Sequence, residues 1–322
     1  MRRTAERRCR RHRAADPARP ENRYGRRAAR LRQLAEGHPM ADYLRFAAGI
    51  AEAQQQVAEA LPLPAALVAT LPARLGGPLP PLEATTLPRE RHWRELLQGL
   101  LERLPAAANP AVAHTLTGLR GCDGIALKRL ADALLAGDYL VVGSDRAPFL
   151  WAALSLYWTQ LAAQLPASGQ ARVGEGRQCC PVCGGAPVAS VIRGGAQSGL
   201  RYLHCGLCES RWHMVRTKCS HCEEGGRLDY WSLDNEQAAI RAESCGDCNS
   251  YLKVLHEDRD PQLEVIADDL ASSRWTPRWS ARASTAAASI RSSSPAEQGR
   301  GVGWIRLRRY PPYGRYEFTE SL

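Results

Sequence analysis

The stretch CCPVCGG at residues 179–185 decides the fold of this chain, together with HCGLC at 204–208, KCSHC at 218–222 and SCGDC at 244–248. Each stretch holds two cysteines separated by two residues, the spacing at which a tight turn aims both sulfurs at one point. Two such pairs complete a tetrahedral four-cysteine site, so four pairs predict two metal sites. The eight predicted ligands are Cys180, Cys183, Cys205, Cys208, Cys219, Cys222, Cys245 and Cys248.

The four pairs repeat with a nearly constant period. The second pair begins 25 residues after the first, the fourth begins 26 residues after the third, and each half is repeated after 39 or 40 residues. The segments LRYLHCGLCESRWHM and IRAESCGDCNSYLKV align at an offset of 40, which places Arg201 opposite Arg241. A duplicated unit explains this pattern. We therefore expect two tandem zinc-ribbon or rubredoxin-like units over 179–256, with the first pair joined to the second and the third to the fourth. Spacing alone leaves the opposite nesting open.

Other residues near the pairs are interpreted as bystanders. Cys179 adjoins Cys180 but lacks the two-residue spacing to Cys183. Three histidines lie beside the pairs: His204, His213 and His221. Four thiolates already complete each site, so we expect these to be solvated or strand-face histidines. Glu209 and Glu243 either tune a metal through contacts with its ligands or are simply exposed, and the sequence leaves both interpretations open.

The metal and the compartment follow from thiolate chemistry. Four thiolates suit both zinc and iron, and the cysteine pattern by itself favours zinc because zinc ribbons are the commoner class. Structural disulfides are the rival interpretation, and they require an oxidising compartment. The N-terminal sequence has no apolar run typical of a signal peptide, and no stretch reaches the length of a membrane span. We therefore expect a cytoplasmic protein that does not insert into a membrane.

The formal net charge of +10 comes from the two ends of the chain. Residues 1–32 hold 13 Arg against 3 acidic residues, and residues 273–322 hold 9 Arg against 3, whereas 33–272 hold 21 basic and 27 acidic residues. A ribbon that grips nucleic-acid phosphates would itself carry Lys and Arg, so no specific nucleic-acid partner is expected. Both the basic tail at 1–25 and the tail at 273–322 are atypical and are expected to be disordered. Out-of-frame translation of a GC-rich gene is one hypothesis for their composition, and a pair of basic arms is the other.

Residues 26–165 show a helical period. The expected helices are Ala41–Leu61, Arg89–Leu104, Asn109–Leu119, Asp123–Ala136 and Ala147–Leu165. A linker at 166–178 leads to the cysteine units, and residues 257–272 begin a C-terminal helix in which Asp268 and Asp269 are expected to cap the helix or face solvent. The predicted fold class is a mainly α N-terminal domain followed by a small β-rich domain of two tandem four-cysteine units. No Gly-rich phosphate loop, nucleophile elbow or His-Glu-x-x-His motif is present, so we expect no enzymatic activity.

Longer segments carry a family resemblance. CCPVCGG at 179–185, GLRYLHCGLCESRWHMVRTKCSHC at 199–222, AESCGDCNSYLKVL at 242–255 and VIADDLAS at 265–272 closely resemble the formate dehydrogenase accessory protein family FdhE. RRAARLRQLAEGHPMADYLRF at 26–46 resembles the N-terminal segment of that family. The likeness covers about residues 26–272, and both ends of the chain depart from the family.

The resemblance implies a cytoplasmic assembly factor. Such a protein would bind the immature, molybdenum-containing catalytic subunit of formate dehydrogenase before its export and support its activation. The resemblance also implies a helical domain joined to two rubredoxin-like units, with iron held by the eight cysteines of the four pairs. Two other functions stay open from the residues alone: a zinc-ribbon nucleic-acid-binding protein and a rubredoxin-like electron carrier.

Overall fold

The computed structural model describes residues 22–89, 91–104, 109–165, 178–195, 198–232, 235 and 237–275. Most of both predicted tails and of the predicted linker therefore lie outside the described residues. The helices of eight or more residues in this part are α1 (Arg23–Ala35), α2 (Ala41–Ala60), α4 (His92–Arg103), α5 (Pro110–Gly121), α6 (Gly124–Leu135) and α8 (Ala147–Ala163). The shorter ones are α3 (Ala65–Thr70), α7 (Tyr139–Val142) and α9 (Val265–Ala271), with 3-10 turns at Pro72–Arg74 and Ser272–Trp275.

Helix α8 is the centre of the helical region. Fourteen of its 17 residues are buried, and it packs against α4, α2 and α6. This burial on every side explains why its sequence is apolar all round rather than along one stripe. All five expected helices are present with ends shifted by up to three residues. The largest shift is at α4, where Arg89 precedes the helix and its guanidinium bonds Asp132 of α6.

Two of the helix starts follow the expected capping chemistry. The Asn109 side chain accepts hydrogen bonds from the backbone N–H groups of Ala111 and Val112, and Pro110 occupies the first helical position of α5. The Asp123 side chain accepts from the N–H of Ala126 at the start of α6. These caps satisfy donors that have no partner inside the helix, so the local sequence determines where each helix begins.

Helix α1 extends into the stretch that composition assigned to the basic tail. It begins at Arg23, and Tyr24 is buried with its hydroxyl 2.8 Å from Thr159 Oγ1 of α8. Several arginines of α1 form ion pairs with carboxylates far along the chain. The expectation of disorder is therefore wrong for residues 22–25, the part of the predicted basic tail that the structure describes.

The strands form one six-stranded sheet. They are β1 (Pro187–Ile192), β2 (Arg201–Cys205), β3 (Arg211–His213), β4 (Leu228–Trp231), β5 (Ile240–Cys245) and β6 (Ser250–His256), in the order β3-β2-β1-β6-β5-β4. Each cysteine unit is an antiparallel three-stranded meander, and the two units join where β1 runs parallel to β6, with Ser190 opposite Val254. The two tandem units are confirmed. Their fusion into a single sheet was not foreseen.

The two faces of the sheet have different neighbours. Ala189, Val191 and Leu255 share a buried apolar cluster with residues of α1, α2 and α9. Because side chains alternate across a strand, Ser190, Ile192 and His256 point to the opposite face. No single described helix has the length and apolar character of a membrane span; only α2 and the following segment to Arg74, bent by 86°, reach that composition when added together.

Candidate metal centres

All four Cys-x-x-Cys pairs lie on turns of the same construction. In every one, the residue after the second cysteine has a left-handed backbone; these are Gly184 (φ 71°), Glu209 (φ 56°), Glu223 (φ 62°) and Asn249 (φ 54°). This conformation is uncommon for residues other than glycine, asparagine and aspartate. Its presence at four equivalent positions shows that the turn geometry is imposed by the cysteine pair.

The first cluster consists of Cys180, Cys183, Cys205 and Cys208. Its four sulfurs lie within 4.8 Å of one another, with 3.5 Å between Cys180 Sγ and Cys208 Sγ and 3.4 Å between Cys183 Sγ and Cys205 Sγ. All four residues are buried. The expected joining of the first pair with the second is confirmed.

The second cluster consists of Cys219, Cys222, Cys245 and Cys248. Its sulfurs also lie within 4.8 Å of one another, with 3.8 Å between Cys219 Sγ and Cys248 Sγ and 3.7 Å between Cys222 Sγ and Cys245 Sγ. Cys222 and Cys248 are only half-buried. Third and fourth pairs are therefore joined as expected, and this cluster reaches the surface.

Both clusters have the dimensions of a tetrathiolate site. Sulfurs at about 2.3 Å from a tetrahedral ion are about 3.8 Å apart, whereas a disulfide requires about 2.05 Å. In three of the turns a backbone N–H donates to the first sulfur, from Val182 to Cys180, from Leu207 to Cys205 and from His221 to Cys219, at 3.3–3.4 Å. An added Cβ at Gly185 would lie 3.2 Å from Cys183 Sγ and 3.3 Å from Cys205 Sγ. The backbone at Gly185 therefore lies directly against two sulfurs of the first cluster.

The thiols of a cluster cannot all ionise without a cation. The hydrogen bond with Cys248 lowers the pKa of Cys219 to about 4, while burial raises the pKa of Cys245 to about 11. In the first cluster, burial raises the pKa of Cys180 well above its usual value. When one thiol of a cluster loses its proton, the neighbouring thiols therefore hold theirs more tightly. A metal ion removes this conflict because it stabilises four thiolates at once.

The first cluster is joined to the helical region by its backbone. Leu82 N–H donates to Val182 O at 2.9 Å, and Ala84 N–H donates to Cys183 O at 3.0 Å. The indole Nε1 of Trp158 on α8 donates to Leu82 O at 2.9 Å. The cysteines of this cluster also belong to the same buried apolar core as α4 and α8. The first turn is therefore part of the core of the protein.

Glu209 clamps the same cluster to α1. Its carboxylate is 3% exposed and accepts two hydrogen bonds from the Arg27 guanidinium, at 2.9 and 2.8 Å, with Arg23 at 3.5 Å. Burial acts to raise the pKa of Glu209, but Arg27 and Arg23 outweigh it and hold this pKa at about 2. Arg27 also pairs with Glu264, which caps α9. One buried network therefore links α1, the second cysteine pair and the C-terminal helix.

Three family models match the chain. They are described as the N-terminal domain of FdhE, matching residues 13–175, its central domain, matching 179–216, and its C-terminal domain, matching 217–275. The chain belongs to the FdhE family. The matched region begins 13 residues before the segment that carried the resemblance in the sequence, and it ends close to the end of the described residues.

Curated FdhE proteins and a solved structure agree with this assignment. The chain is 54% identical over 249 residues to a Protein FdhE homolog from Edwardsiella ictaluri, covering 77% of this chain and 81% of that protein. It is 52% identical over 253 residues to Protein FdhE from Escherichia coli K12, covering 78% and 82%. The crystal structure of the FdhE protein from Pseudomonas aeruginosa matches with a TM-score of 0.73 at 39% identity, covering 82% of this chain and 93% of that one.

In this FdhE-family chain the bystander residues lie outside both clusters. Cys179 is exposed. His204 is buried on β2, where its Nδ1 accepts a hydrogen bond from Arg211 Nε at 3.2 Å and burial lowers its pKa to about 3. The strand-face interpretation therefore holds for His204, in a neutral and buried form.

Four carboxylates that the sequence left unassigned or placed at the surface are buried ion-pair partners. Glu209 and Glu243 are each 3% exposed, and Glu243 Oε1 accepts from Arg201 at 2.8 Å. Asp268 pairs with Arg30 at 2.8 Å and Asp269 with Lys253 at 2.8 Å, so the expectation of a solvated face for these two was wrong. Their partners are distant in sequence, and no local pattern could indicate them.

Proposed function

We propose that this protein is an accessory factor for the maturation of formate dehydrogenase. In this role it binds the immature, molybdenum-containing catalytic subunit in the cytoplasm before export and supports its activation, without being an enzyme itself. The observation that carries the proposal is the presence of all eight cysteines, gathered in two clusters, within a chain of the FdhE family.

The eight cysteines are proposed as metal ligands and iron as the metal, with zinc as the alternative. Among the described residues each cluster consists of four cysteine sulfurs, a donor set that suits either ion. Iron held by four thiolates supplies a centre that changes charge by one electron, whereas zinc supplies only a structural cross-link. The family resemblance favours iron. The half-buried position of Cys222 and Cys248 supports a second site that can exchange electrons with a partner.

That partial exposure also favours a second candidate function, a rubredoxin-like electron carrier. The two functions differ in what the helical region does, because an electron carrier needs no stable complex with an immature subunit. The nucleic-acid alternative has less support, since residues 33–272 hold 21 basic and 27 acidic residues.

A capture experiment separates these functions. The full chain, purified without oxygen, is immobilised and offered the catalytic subunit of formate dehydrogenase in two forms, one isolated before cofactor insertion and one mature. We expect retention of the immature form and release of the mature one. Cys205→Ser and Cys245→Ser, one in each cluster, should weaken retention, while Cys179→Ser should not because Cys179 lies outside both clusters. Equal capture of both forms, or none of either, contradicts the accessory role.

Metal analysis tests the cofactor. Anaerobically purified protein should contain two iron ions per chain and show the red colour of a ferric tetrathiolate after mild oxidation. A colourless protein with two zinc ions would contradict the assignment of iron, but it would not contradict the accessory role.

A further inference from the structure

A polar cavity lies on the sheet face away from the helices, between the two cysteine units. Its volume is about 160 Å³, and it is lined by residues of β1, β2, β4, β5 and β6. Arg201, Arg216 and Arg241 line it together with Glu243 and His256. Three guanidinium groups thus face one carboxylate.

Arg201 is already fully engaged by the protein. Its Nε donates to Ser190 Oγ at 2.7 Å, Nη1 donates to the carbonyl of Lys218 at 2.8 Å, and Nη2 donates to Glu243 Oε1 at 2.8 Å. The second oxygen of Glu243 accepts from the Tyr230 hydroxyl at 2.8 Å. Both oxygens of Glu243, the one carboxylate among the described residues of the cavity wall, therefore already accept hydrogen bonds from Arg201 and Tyr230.

Arg241 occupies the same place in the second unit as Arg201 does in the first, at the offset of 40 residues. It has no counterpart of Glu243: its Nε is buried, with no hydrogen-bond partner among the described residues. The described part of the chain also contains no ion pair of Arg241 or Arg216. Arg241 is half-buried, and a guanidinium that loses part of its water without gaining an anion is unfavourable.

Arg216 completes the arrangement at the mouth of the cavity. It is exposed, and among the described residues its guanidinium makes a single long contact, of 3.5 Å from Nη1 to the carbonyl of Gly199. His256 also lines the cavity; burial, assisted by Arg259, Arg241 and Arg216, lowers its pKa to about 4, so it is neutral at pH 7. The cavity wall therefore carries an excess of two positive charges at neutral pH.

We propose that this cavity binds a small carboxylate anion, held by the guanidinium groups of Arg241 and Arg216. Arg201 binds the carboxylate of Glu243, so we expect Arg241, at the equivalent position of the second unit, to bind a carboxylate as well. A guanidinium can bind a carboxylate through two parallel hydrogen bonds. The cavity volume admits an anion of a few non-hydrogen atoms, and the exposed Arg216 leaves it open to solvent. The inference stands on the cavity alone and does not depend on the proposed client.

The test uses the full chain with its metal and three sodium salts as probes: formate, acetate and phosphate. Binding is measured by titration calorimetry at constant ionic strength set with sodium chloride. We expect saturable binding of formate or acetate, weakened at least tenfold by Arg241→Gln and unchanged by Arg45→Gln, since Arg45 is an exposed residue of α2 that pairs with Asp42. Without anion, Arg241→Gln should unfold at the same temperature as the parent protein or higher, because it removes a half-buried charge that has no ion-pair partner among the described residues.

Arg216→Gln is the second variant, chosen because its exposed side chain places the fold at no risk. It should also weaken carboxylate binding. Three results would overturn the proposal: no saturable binding of either carboxylate, binding that both arginine variants leave unchanged, or tighter binding of phosphate than of either carboxylate with the same dependence on Arg241.

Discussion

The two cysteine clusters share one turn geometry and one donor set but lie in different surroundings. The first is buried on every side and belongs to the same apolar core as helices α4 and α8. No residue of the second cluster belongs to either buried apolar core of the described chain, and two of its cysteines reach the surface. The two repeated units therefore offer the same ligands to a metal ion. They differ because only the first cluster packs against the helices. We infer that the first site stabilises the whole protein, while the second is suited to contact with a partner.

The largest expected difference comes from removing one ligand at equivalent positions, with Cys205→Ser compared with Cys245→Ser. Each variant should lose one metal ion per chain. Because metal binding and folding are coupled, Cys205→Ser should destabilise the entire chain by about 3 kcal/mol or more. Cys245→Ser should open only the second unit, around β4 and β5. Thermal unfolding and hydrogen exchange check this, and equal global destabilisation by both variants would remove the distinction between the clusters.

A second comparison uses the left-handed residue that follows a cysteine pair. Glu209→Gln leaves the buried charge of Arg27 only partly compensated and should destabilise the protein by about 3 kcal/mol. Asn249→Gly changes the equivalent, exposed position of the second unit and keeps the left-handed backbone without strain, so its effect should stay within about 0.5 kcal/mol. Chemical denaturation of the metal-loaded protein measures both. If Glu209→Gln leaves the free energy of unfolding unchanged, the ion pair between Glu209 and Arg27 does not stabilise the protein.

The rate at which a chelator removes the metal ions should also differ between the two clusters. A chelator should remove the two ions in two phases, with the second cluster emptied about tenfold faster because it needs only local opening. The Cys245→Ser variant should retain the slow phase alone, and Cys205→Ser should not retain it. A single phase accounting for both ions would mean that the clusters open together.

The smallest effect concerns the attachment of the first turn to α8. Trp158→Phe keeps the aromatic ring and removes the hydrogen bond to Leu82 O, which leaves a buried carbonyl without that partner. The cost should be about 1 kcal/mol. If the attachment is specific to the first cluster, hydrogen exchange should increase at Leu82 and Ala84 while the second unit stays unchanged. Faster exchange in the second unit as well would argue against it.

Local patterns predicted much of this architecture. The two-residue spacing predicted the eight cysteines that form the clusters, because a turn of that length determines where two sulfurs point. The duplication favoured the observed pairing, although spacing alone left the opposite nesting open. The helices expected to begin at Asn109 and Asp123 begin one residue later in the structure, where these two side chains cap them.

Long-range pairing could not be predicted from the sequence. The parallel contact of β1 with β6 joins residues more than 60 positions apart, and Arg27 bonds carboxylates 182 and 237 residues away. Neither partner carries a local signal for the other. For the same reason, composition placed Arg23 in the basic tail at 1–25, although Arg23 lies next to the buried carboxylate of Glu209 when the chain folds.

The most direct test of the account is native mass spectrometry of the full chain, purified without oxygen and sampled during chelation. We expect two metal ions per chain at the start. We then expect an intermediate with one ion in which hydrogen exchange has increased around the second cluster while α4 and α8 remain protected. A chain that carries no metal, or one whose cluster sulfurs are joined as disulfides in its native host, would contradict it.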